Sequence, residues 1–333
     1  MLSSAAFALL LAVSSVPLGA AAVDSGTTLL KSARSRTFEF SYSTRVRGLP
    51  SSTVARVWLP VPHIDPDQEV KILAVDFPGQ YQITREPEFG NQILYFESQP
   101  SRKGTLSFSI RYQITRRELM IETIRPIAAE DTSRFMQPDS RVPIADKPLR
   151  LIKGKRLPMD QLDTARVIYD IVRQHMRYSK EGTGWGRGDS EWACNSGFGN
   201  CSDFHSLFIS LARSQKLPAK FEIGFLLPET HGSGEIAGYH CWAKFKPAGR
   251  GWVPVDISEA SRHPELGAYY FGNLSENRVT FSTGRDIELV PKQQGPRLNF
   301  FIYPYVEVDG RPYPPEQISS QFTYRDTSAS DRK

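Results

Sequence analysis

The sequence lacks the features of nucleic-acid-binding and membrane-spanning proteins. Its 333 residues carry 41 Lys and Arg against 36 Asp and Glu, a net charge of +5, and the basic residues form no dense run. Such a mild, dispersed charge is not typical of proteins that bind nucleic acid. The apolar run at the start of the chain is too short and too rich in alanine for a membrane span, and nothing later approaches one. We therefore expect no nucleic-acid partner and no membrane span.

Cysteine is also scarce, because the chain has only Cys194, Cys201 and Cys241. Three cysteines allow one disulfide and one free thiol, and the sequence does not establish whether Cys194 pairs with Cys241. A zinc site built from these cysteines with His205 and His240 is disfavoured, since no C-x-x-C or H-x-x-x-H spacing occurs. No EF-hand-like loop and no Gly-Lys-Ser/Thr phosphate loop are present. We expect neither a metal nor another cofactor.

The first 22 residues are typical of a secretory signal peptide. An apolar core at residues 9–13 is followed by small residues suited to cleavage after Ala22, although Lys and Arg are missing before the core. The sequence thus predicts export to the periplasm or the extracellular space. Residues 23–36 then form a predicted flexible leader, and residues 326–333 a disordered tail.

Residues 37–125 have the pattern of a β-rich N-terminal domain. Pro, Gly, Asn and Asp separate short runs of β-branched and aromatic residues, which lie at 38–42, 54–62, 70–75, 81–84, 93–96 and 105–115. This pattern predicts a β-sandwich-like domain. The domain has no cysteine and only His63 as a histidine, so we expect it to bind or pack rather than to catalyse. A linker rich in proline and charge follows at residues 126–160, with a short helix near 148–152.

A second domain is predicted to begin with a helix at residues 161–176, which has apolar residues at helical spacing. A glycine-rich loop follows at residues 182–189, and a loop of this size on a compact domain usually shapes a site. Trp185 and Trp192 would either form the wall of a cleft and offer an indole N–H, or pack as a satellite cluster. The sequence leaves both alternatives open.

The stretch from Gly199 to Arg213 predicts the central helix of the second domain. Apolar residues recur at the spacing of one buried helical face, at Phe204, Leu207, Phe208, Leu211 and Ala212. Asn200 is a good N-cap, and Asp203 can return a hydrogen bond as in a capping box. Cys201 therefore lies on the first turn, where unpaired N–H groups and the helix dipole favour a thiolate. These features mark Cys201 as a candidate nucleophile rather than as a small core residue.

Two strand-like segments follow, at residues 240–246 and 252–256. A Pro-Ala-Gly loop of three residues between them predicts a hairpin in which His240 and Asp256 lie directly opposite each other, with both side chains on one face. A slip of one residue would separate the pair. A carboxylate beside an imidazole orients the ring and stabilises the imidazolium, so the pair together with Cys201 has the parts of a nucleophilic Cys–His–Asp site.

Three ordered blocks also resemble a known family. Residues 199–204, 239–242 and 251–256 are similar to the core of the transglutaminase-like superfamily, above all to its bacterial exported branch with a β-rich N-terminal domain. The resemblance covers roughly residues 161–258. It implies an α+β fold, in which an all-β sandwich-like domain precedes a papain-like, transglutaminase-like core at residues 161–325 that includes a C-terminal extension.

The resemblance implies Cys201 as the nucleophile, His240 as general base and acid, and Asp256 as the group that orients the histidine. In that family the thiol attacks a carboxamide or peptide carbonyl and forms a thioester, which water hydrolyses or an amine converts into a new amide. We expect a thiol-dependent hydrolase acting on a peptide, a protein or a cell-wall-type amide. The alternatives are a protein-glutamine transamidase, which cross-links proteins, and a non-catalytic peptide-binding scaffold.

The chain departs from the simplest family pattern at two positions, Cys241 and His205. His205 lies four residues after the nucleophile and so on the same helical face. It is an alternative base, a second group near the site, or a buried core histidine. The backbone N–H of Cys201 is one expected oxyanion donor, and Trp185 and Trp192 are candidates for the other.

Overall fold

Six strands make up the N-terminal part of the chain in a computed structural model, which describes residues 33–126, 130–145 and 147–327. The predicted signal peptide and almost all of the leader therefore lie outside the described residues. The strands correspond to the six predicted runs and are β1 Ser35–Val46, β2 Ala55–Pro60, β3 Gln68–Asp76, β4 Tyr81–Arg85, β5 Gln92–Ser98 and β6 Leu106–Arg117.

Short 3₁₀ turns and four α-helices follow in the second half. The predicted short helix in the linker is the 3₁₀ turn Lys147–Leu151, which follows another at Ser133–Met136. The α-helices are α1 Gln161–His175, α2 Ser190–Ser196, α3 Cys201–Ser214 and α4 Ile257–Arg262. The sequence predicted α1 and α3 and missed the two short helices. Among the described residues, no helix is long and apolar enough to cross a membrane.

Ten further strands complete the fold. They are β7 Arg177–Tyr178, β8 Phe198–Gly199, β9 Ala219–Leu226, β10 Ser233–Ile236, β11 His240–Phe245, β12 Val253–Val255, β13 Arg278–Thr283, β14 Tyr305–Val308, β15 Arg311–Pro312 and β16 Ile318–Asp326. The two-residue strands β7 and β8 form a parallel pair. The antiparallel sheet of the second half has the order β12-β11-β9-β13.

The β-rich region consists of two five-stranded sheets, with the orders β10-β16-β1-β6-β3 and β15-β14-β2-β5-β4. Burial alternates along β1 and β6, as expected of strands with one face on the core. Aromatic side chains join the sheets, since the ring centroids of Phe96 on β5 and Phe108 on β6 are 5.1 Å apart. The predicted sandwich-like architecture is therefore present.

The end of the chain returns to this β-rich region. β16 pairs along its full length with β1, and β14 pairs with β2. The predicted division assigned all residues up to 325 to the second domain, whereas the strand pairing places β14, β15 and β16 in the sheets of the first. The pairing also extends at both ends beyond the prediction, because Arg36 of the predicted leader forms an ion pair with Asp326 of the predicted tail at 2.7 Å.

The helix α3 lies in the centre of the second half. The apolar stripe predicted one buried face, but every residue from Cys201 to Arg213 is buried. The serines between the apolar residues are buried as well, and Ser206 and Ser210 accept or donate hydrogen bonds to other elements. The helix is therefore enclosed by packing on all sides, which holds the residue at its first position in place.

Candidate active site

Cys201 is the first residue of α3, and the predicted capping box fixes the start of this helix. The Asn200 side chain accepts a hydrogen bond from Ser202 N–H at 2.9 Å, and the Asp203 carboxylate accepts one from Asn200 N–H at 3.0 Å. The Cys201 side chain thus lies at the positive end of the helix dipole. Its own N–H is among the first four of the helix, which have no acceptor within the helix.

His240 and Asp256 meet as predicted, although the predicted register was wrong. The hairpin pairs Ala243 with Val255 and Phe245 with Val253, a shift of two residues from the expected pairing. A shift of two keeps side chains on the same face, so the two groups become diagonal neighbours instead of separating. His240 Nε2 and Asp256 Oδ2 are 2.6 Å apart.

Secondary structure holds both members of this pair. Asp256 is the N-cap of α4, where its Oδ1 accepts hydrogen bonds from Glu259 N–H at 3.0 Å and Ser258 Oγ at 2.9 Å. His240 begins β11 and pairs with Gly224 of β9. A Cβ atom at Gly224 would lie 1.7 Å from the carbonyl oxygen of Val279, so only glycine fits there. The pairing of β9 with its two neighbours therefore fixes the backbone that carries the imidazole, and the Asp256 carboxylate orients the ring.

The thiol and the imidazole shift each other's protonation. Burial alone would raise the pKa of Cys201, but hydrogen bonds from Cys241 and His240 and the charge on His240 bring that pKa well below its usual value. Burial alone would lower the pKa of His240, but the charge and hydrogen bond of Asp256 and the hydrogen bond with Cys201 raise it to about 10. Opposite shifts of this kind favour a thiolate–imidazolium pair. Since Nε2 bonds to the carboxylate, Nδ1 is the ring nitrogen left for the thiol.

Arg278 is a member of the site that the sequence analysis missed. Its side chain is fully buried, and its Nη1 lies 2.7 Å from Asp256 Oδ2. The guanidinium also lies over the rings of Trp242 and Tyr270, at 5.2 and 5.7 Å from their centroids. Burial alone would raise the pKa of Asp256, and the charges of His240 and Arg278 hold it well below its usual value. Its position within a strand-like run, beside Val279, was the available signal.

His205 lies behind the proposed triad rather than in an open cleft. Its side chain is fully buried, and its Nε2 accepts a hydrogen bond from Ile257 N–H at 3.0 Å. Burial lowers its pKa to about 4, so the ring is neutral near pH 7. Its Nδ1 lies 3.7 Å from Cys241 Sγ. Because Nε2 already accepts the amide, the alternative in which His205 is the general base has no support in this geometry.

All three cysteines are free. The Cys194 sulfur lies 3.4 Å from the carbonyl oxygen of Lys147, whereas the Cys241 sulfur lies 3.8 Å from Ser202 Oγ. The pairing of Cys194 with Cys241 that the sequence left open does not occur in this structure. Among the described residues, no group of three or more His, Cys, Asp or Glu side chains is placed to hold a metal ion.

The glycine-rich loop is attached to the start of α3 through Asp203. The carboxylate, which is fully buried, accepts hydrogen bonds from Gly186 N–H at 2.7 Å and Gly188 N–H at 3.0 Å. Gly188 has φ +59°, and a Cβ there would lie 2.6 Å from the Arg285 guanidinium. Burial raises the pKa of Asp203 to about 6, against the effect of these hydrogen bonds. One side chain therefore positions both the nucleophile and the loop beside it.

The two tryptophans contact Gly182 and Phe198. Trp185 donates its indole N–H to Gly182 O within its own loop at 3.1 Å, and Trp192 packs on Phe198 with 5.3 Å between ring centroids. Their predicted role as oxyanion donors stays a prediction. Tyr239, which the sequence analysis did not assign to the site, contacts the start of the helix.

The hydroxyl of Tyr239 joins the residues on either side of the nucleophile. It accepts a hydrogen bond from Asn200 Nδ2 at 3.1 Å and shares one with Ser202 Oγ at 3.2 Å. Burial raises the pKa of Tyr239, and the nearby Cys201 charge raises it further, so the hydroxyl keeps its proton. The tyrosine directly precedes His240, and this adjacency was the signal in the sequence.

Comparisons with known proteins identify the family of the second domain. A sequence model of the transglutaminase-like superfamily matches residues 151–257, a range that includes all three members of the proposed triad. An uncharacterized protein of Haemophilus influenzae is 25% identical over 304 residues, which cover 77% of this chain and 81% of that protein.

A solved structure shows the same fold. The crystal structure of a protein described as a "putative cysteine protease", from Cytophaga hutchinsonii, matches with a TM-score of 0.54 and 14% identity, and the match covers 88% of this chain and 98% of that one. The predicted family and fold class are confirmed: residues 151–257 form a transglutaminase-like superfamily domain, within an α+β chain that has a large β-rich N-terminal region.

Proposed function

We propose that the protein is a thiol-dependent hydrolase of peptide or amide bonds, with Cys201, His240 and Asp256 as its catalytic residues. The observation that carries this proposal is the buried chain of polar contacts that runs from the thiol through the imidazole to the carboxylate. The lowered pKa of the thiol and the raised pKa of the imidazole give a nucleophile and a proton donor in the same state near neutral pH.

The chemistry follows from that state. The Cys201 sulfur attacks the carbonyl carbon, a C–S bond forms, and the carbonyl electrons move onto the oxygen. The intermediate then expels the amine, which takes the proton from the imidazolium of His240, and a thioester remains. Water attacks the thioester while His240 accepts its proton, and the carboxylic acid leaves as the thiolate is restored.

Asp256 and Arg278 act on this reaction through His240. The carboxylate stabilises the imidazolium and keeps one ring nitrogen directed at the sulfur. Arg278 partly compensates the buried charge of Asp256, which keeps that group ionised. The Cys201 N–H, at the first position of α3, is the backbone donor we assign to the developing oxyanion.

The proposal is tested by alkylation of the protein with iodoacetamide from pH 4 to 10, followed by peptide mapping. We expect Cys201 to react at pH values well below 8, and His240→Ala to remove this advantage. Cys194 serves as an internal reference, since burial raises its pKa. If Cys201 reacts like an ordinary thiol, whose pKa is about 8.5, the enzymatic proposal is wrong and the peptide-binding scaffold becomes the leading alternative.

The products distinguish hydrolysis from cross-linking. A panel of peptides and glutamine-containing amides is incubated with the protein, with and without a labelled primary amine, and the products are identified by mass. We expect free acid to form at an equal rate in both cases. Incorporation of the amine in place of water would favour the transamidase.

We also propose that the protein is exported, because residues 1–22 have a signal-like pattern. Fractionation of cells that express the full chain or a chain without these residues tests this. Export of the full chain alone is the expected result, and retention of both inside the cell would contradict it.

A further inference from the structure

An apolar pocket that the mechanism does not use lies beside the candidate site. It has a volume of about 480 Å³, within the range typical of ligand pockets. Tyrosines and prolines of the segment 303–315 supply seven of its fourteen lining residues, and Glu235 is the only charged one. The other lining residues are Ile236 of β10, Ala237, Val306 of β14, and Ile318, Ser320 and Phe322 of β16. Such a lining suits an uncharged, bulky group and disfavours a charged one.

The pocket is connected with the start of α3 through two tyrosines. Tyr303 lines the pocket, and its ring centroid lies 6.1 Å from that of Tyr239. Tyr239 in turn bonds through its hydroxyl to Asn200 and Ser202, the two residues that flank Cys201. Two tyrosines in succession therefore connect the pocket with the helix start.

The lining is open to solvent although it is apolar. Tyr303 is 41% exposed, and Ala237, Pro312 and Pro314 are exposed as well. An open pocket of tyrosine and proline is suited to contact with an extended peptide, whose side chains offer apolar surface and whose backbone offers hydrogen-bonding groups.

Strand β10 has a backbone edge beside the apolar pocket. It is the terminal strand of its sheet, so in the described part of the chain one of its edges has no strand partner. Glu235 and Ile236 of this strand line the pocket, and His240 follows only four residues after Ile236. An extended peptide that pairs with this edge would run from the pocket towards the proposed catalytic histidine.

We propose that this pocket determines the specificity of the candidate site: it takes a bulky apolar side chain, above all an aromatic one, of an extended peptide whose neighbouring carbonyl lies at Cys201. The inference rests on the proposed function, since it treats the bound peptide as the substrate. A preference for aromatic over charged side chains of at least tenfold is expected for a pocket of this kind.

The test measures binding without requiring turnover. The full chain with Cys201→Ala is titrated with fluorescent, end-capped hexapeptides of alanine that carry either Phe or Lys at one position in turn. At one position we expect the Phe peptide to bind at least tenfold more tightly than its Lys counterpart. Ile318→Arg, which places a charge in the pocket, should abolish this difference.

Two further variants control the experiment. Ser319→Arg adds the same charge at the next residue of β16, which is exposed and on the other face of the strand, and should leave the preference unchanged. Tyr313→Ala removes part of the pocket wall without adding charge, and should weaken binding of the Phe peptide alone. This variant decides the matter if Ile318→Arg does not fold.

The outcomes separate this inference from the proposed function. Equal binding of the Phe and Lys peptides at every position, or a preference that Ile318→Arg and Tyr313→Ala leave intact, would overturn the pocket assignment. The chain with its cysteine intact is then assayed on the same peptides. A preference in binding without any cleavage would support the pocket and contradict the proposed hydrolase, whereas cleavage without preference would do the opposite.

Discussion

The substitution Asp256→Asn tests the effect of the carboxylate charge on the site without changing the size of the side chain. The amide keeps the size of the carboxylate but removes the charge that, together with the thiolate, raises the pKa of His240. The rise of this pKa from 6.5 to about 10 corresponds to roughly 5 kcal/mol, at about 1.36 kcal/mol for each pKa unit. Without the carboxylate, burial is the main remaining influence, and we expect the pKa of His240 to fall below its usual value so that the imidazole is neutral near pH 7.

The reactivity of Cys201 reports this change directly. A thiol with a pKa of about 8.5 is only about 0.3% ionised at pH 6, so the rate of alkylation by iodoacetamide at that pH should fall about 300-fold in the variant. The measurement is the pH profile of the rate, with peptide mapping to confirm the labelled residue. Rates at pH 6 within threefold of each other would refute the assignment of Asp256 as the source of thiol activation.

A second variant controls for damage to the fold. Asp256→Asn leaves the buried guanidinium of Arg278 without its counter-charge, and the loss of one partner of a buried pair destabilises by about 3–5 kcal/mol. The double variant Asp256→Asn with Arg278→Met removes both charges. We expect it to recover much of the free energy of unfolding in urea, while the slow alkylation at pH 6 persists.

Three further predictions concern pH, capping and the neighbouring thiols. In Cys201→Ala, the free energy of unfolding in urea should fall by about 1.4 kcal/mol per pH unit above pH 6.5, because the folded imidazolium keeps a proton that the unfolded chain has lost. In the unaltered protein the free energy of unfolding should not change with pH up to about 8.5, because the proton that the folded imidazolium keeps is matched by the proton on the thiol of the unfolded chain. If both proteins lost stability at the same rate with pH, the thiolate–imidazolium pair would be contradicted. Asp203→Ala should lower the free energy of unfolding by about 1–3 kcal/mol more than Asp160→Ala, which removes only an exposed cap of α1. Equal losses in the two variants would speak against the role of Asp203 in holding the glycine-rich loop. Cys241→Ala should slow alkylation of the nucleophile at pH 6 about tenfold by removing one hydrogen bond to the thiolate, and Cys194→Ala should not; equal effects would contradict this.

Much of the local structure could be predicted from the sequence. The six N-terminal strands, α1, and the start of α3 all follow from patterns within about fifteen consecutive residues. The capping box at Asn200 and Asp203 is equally local, because both of its hydrogen bonds join residues at most three apart. The sequence motif around Cys201 therefore identified the candidate nucleophile and its conformation together.

The pairing of His240 with Asp256 was predicted from an incorrect register. The loop after Phe245 is longer than three residues, and the sequence shows no rule that determines this length. The contact survived because strand faces repeat every second residue, so the error of two positions changed the distance along the strand but not the face. An error of one would have separated the two side chains.

Local sequence patterns predicted the six N-terminal strands, α1 and α3, the position of Cys201 at a helix start, and the family of the second domain. Only the folded chain shows that Arg278 is buried against Asp256, that His205 lies behind the site, and that β16 pairs with β1. The reason is the range of the interactions. Caps and periodicity depend on neighbours within a few residues, whereas burial and ion pairing depend on contacts between segments that are distant in the chain and meet only when the sheets pack.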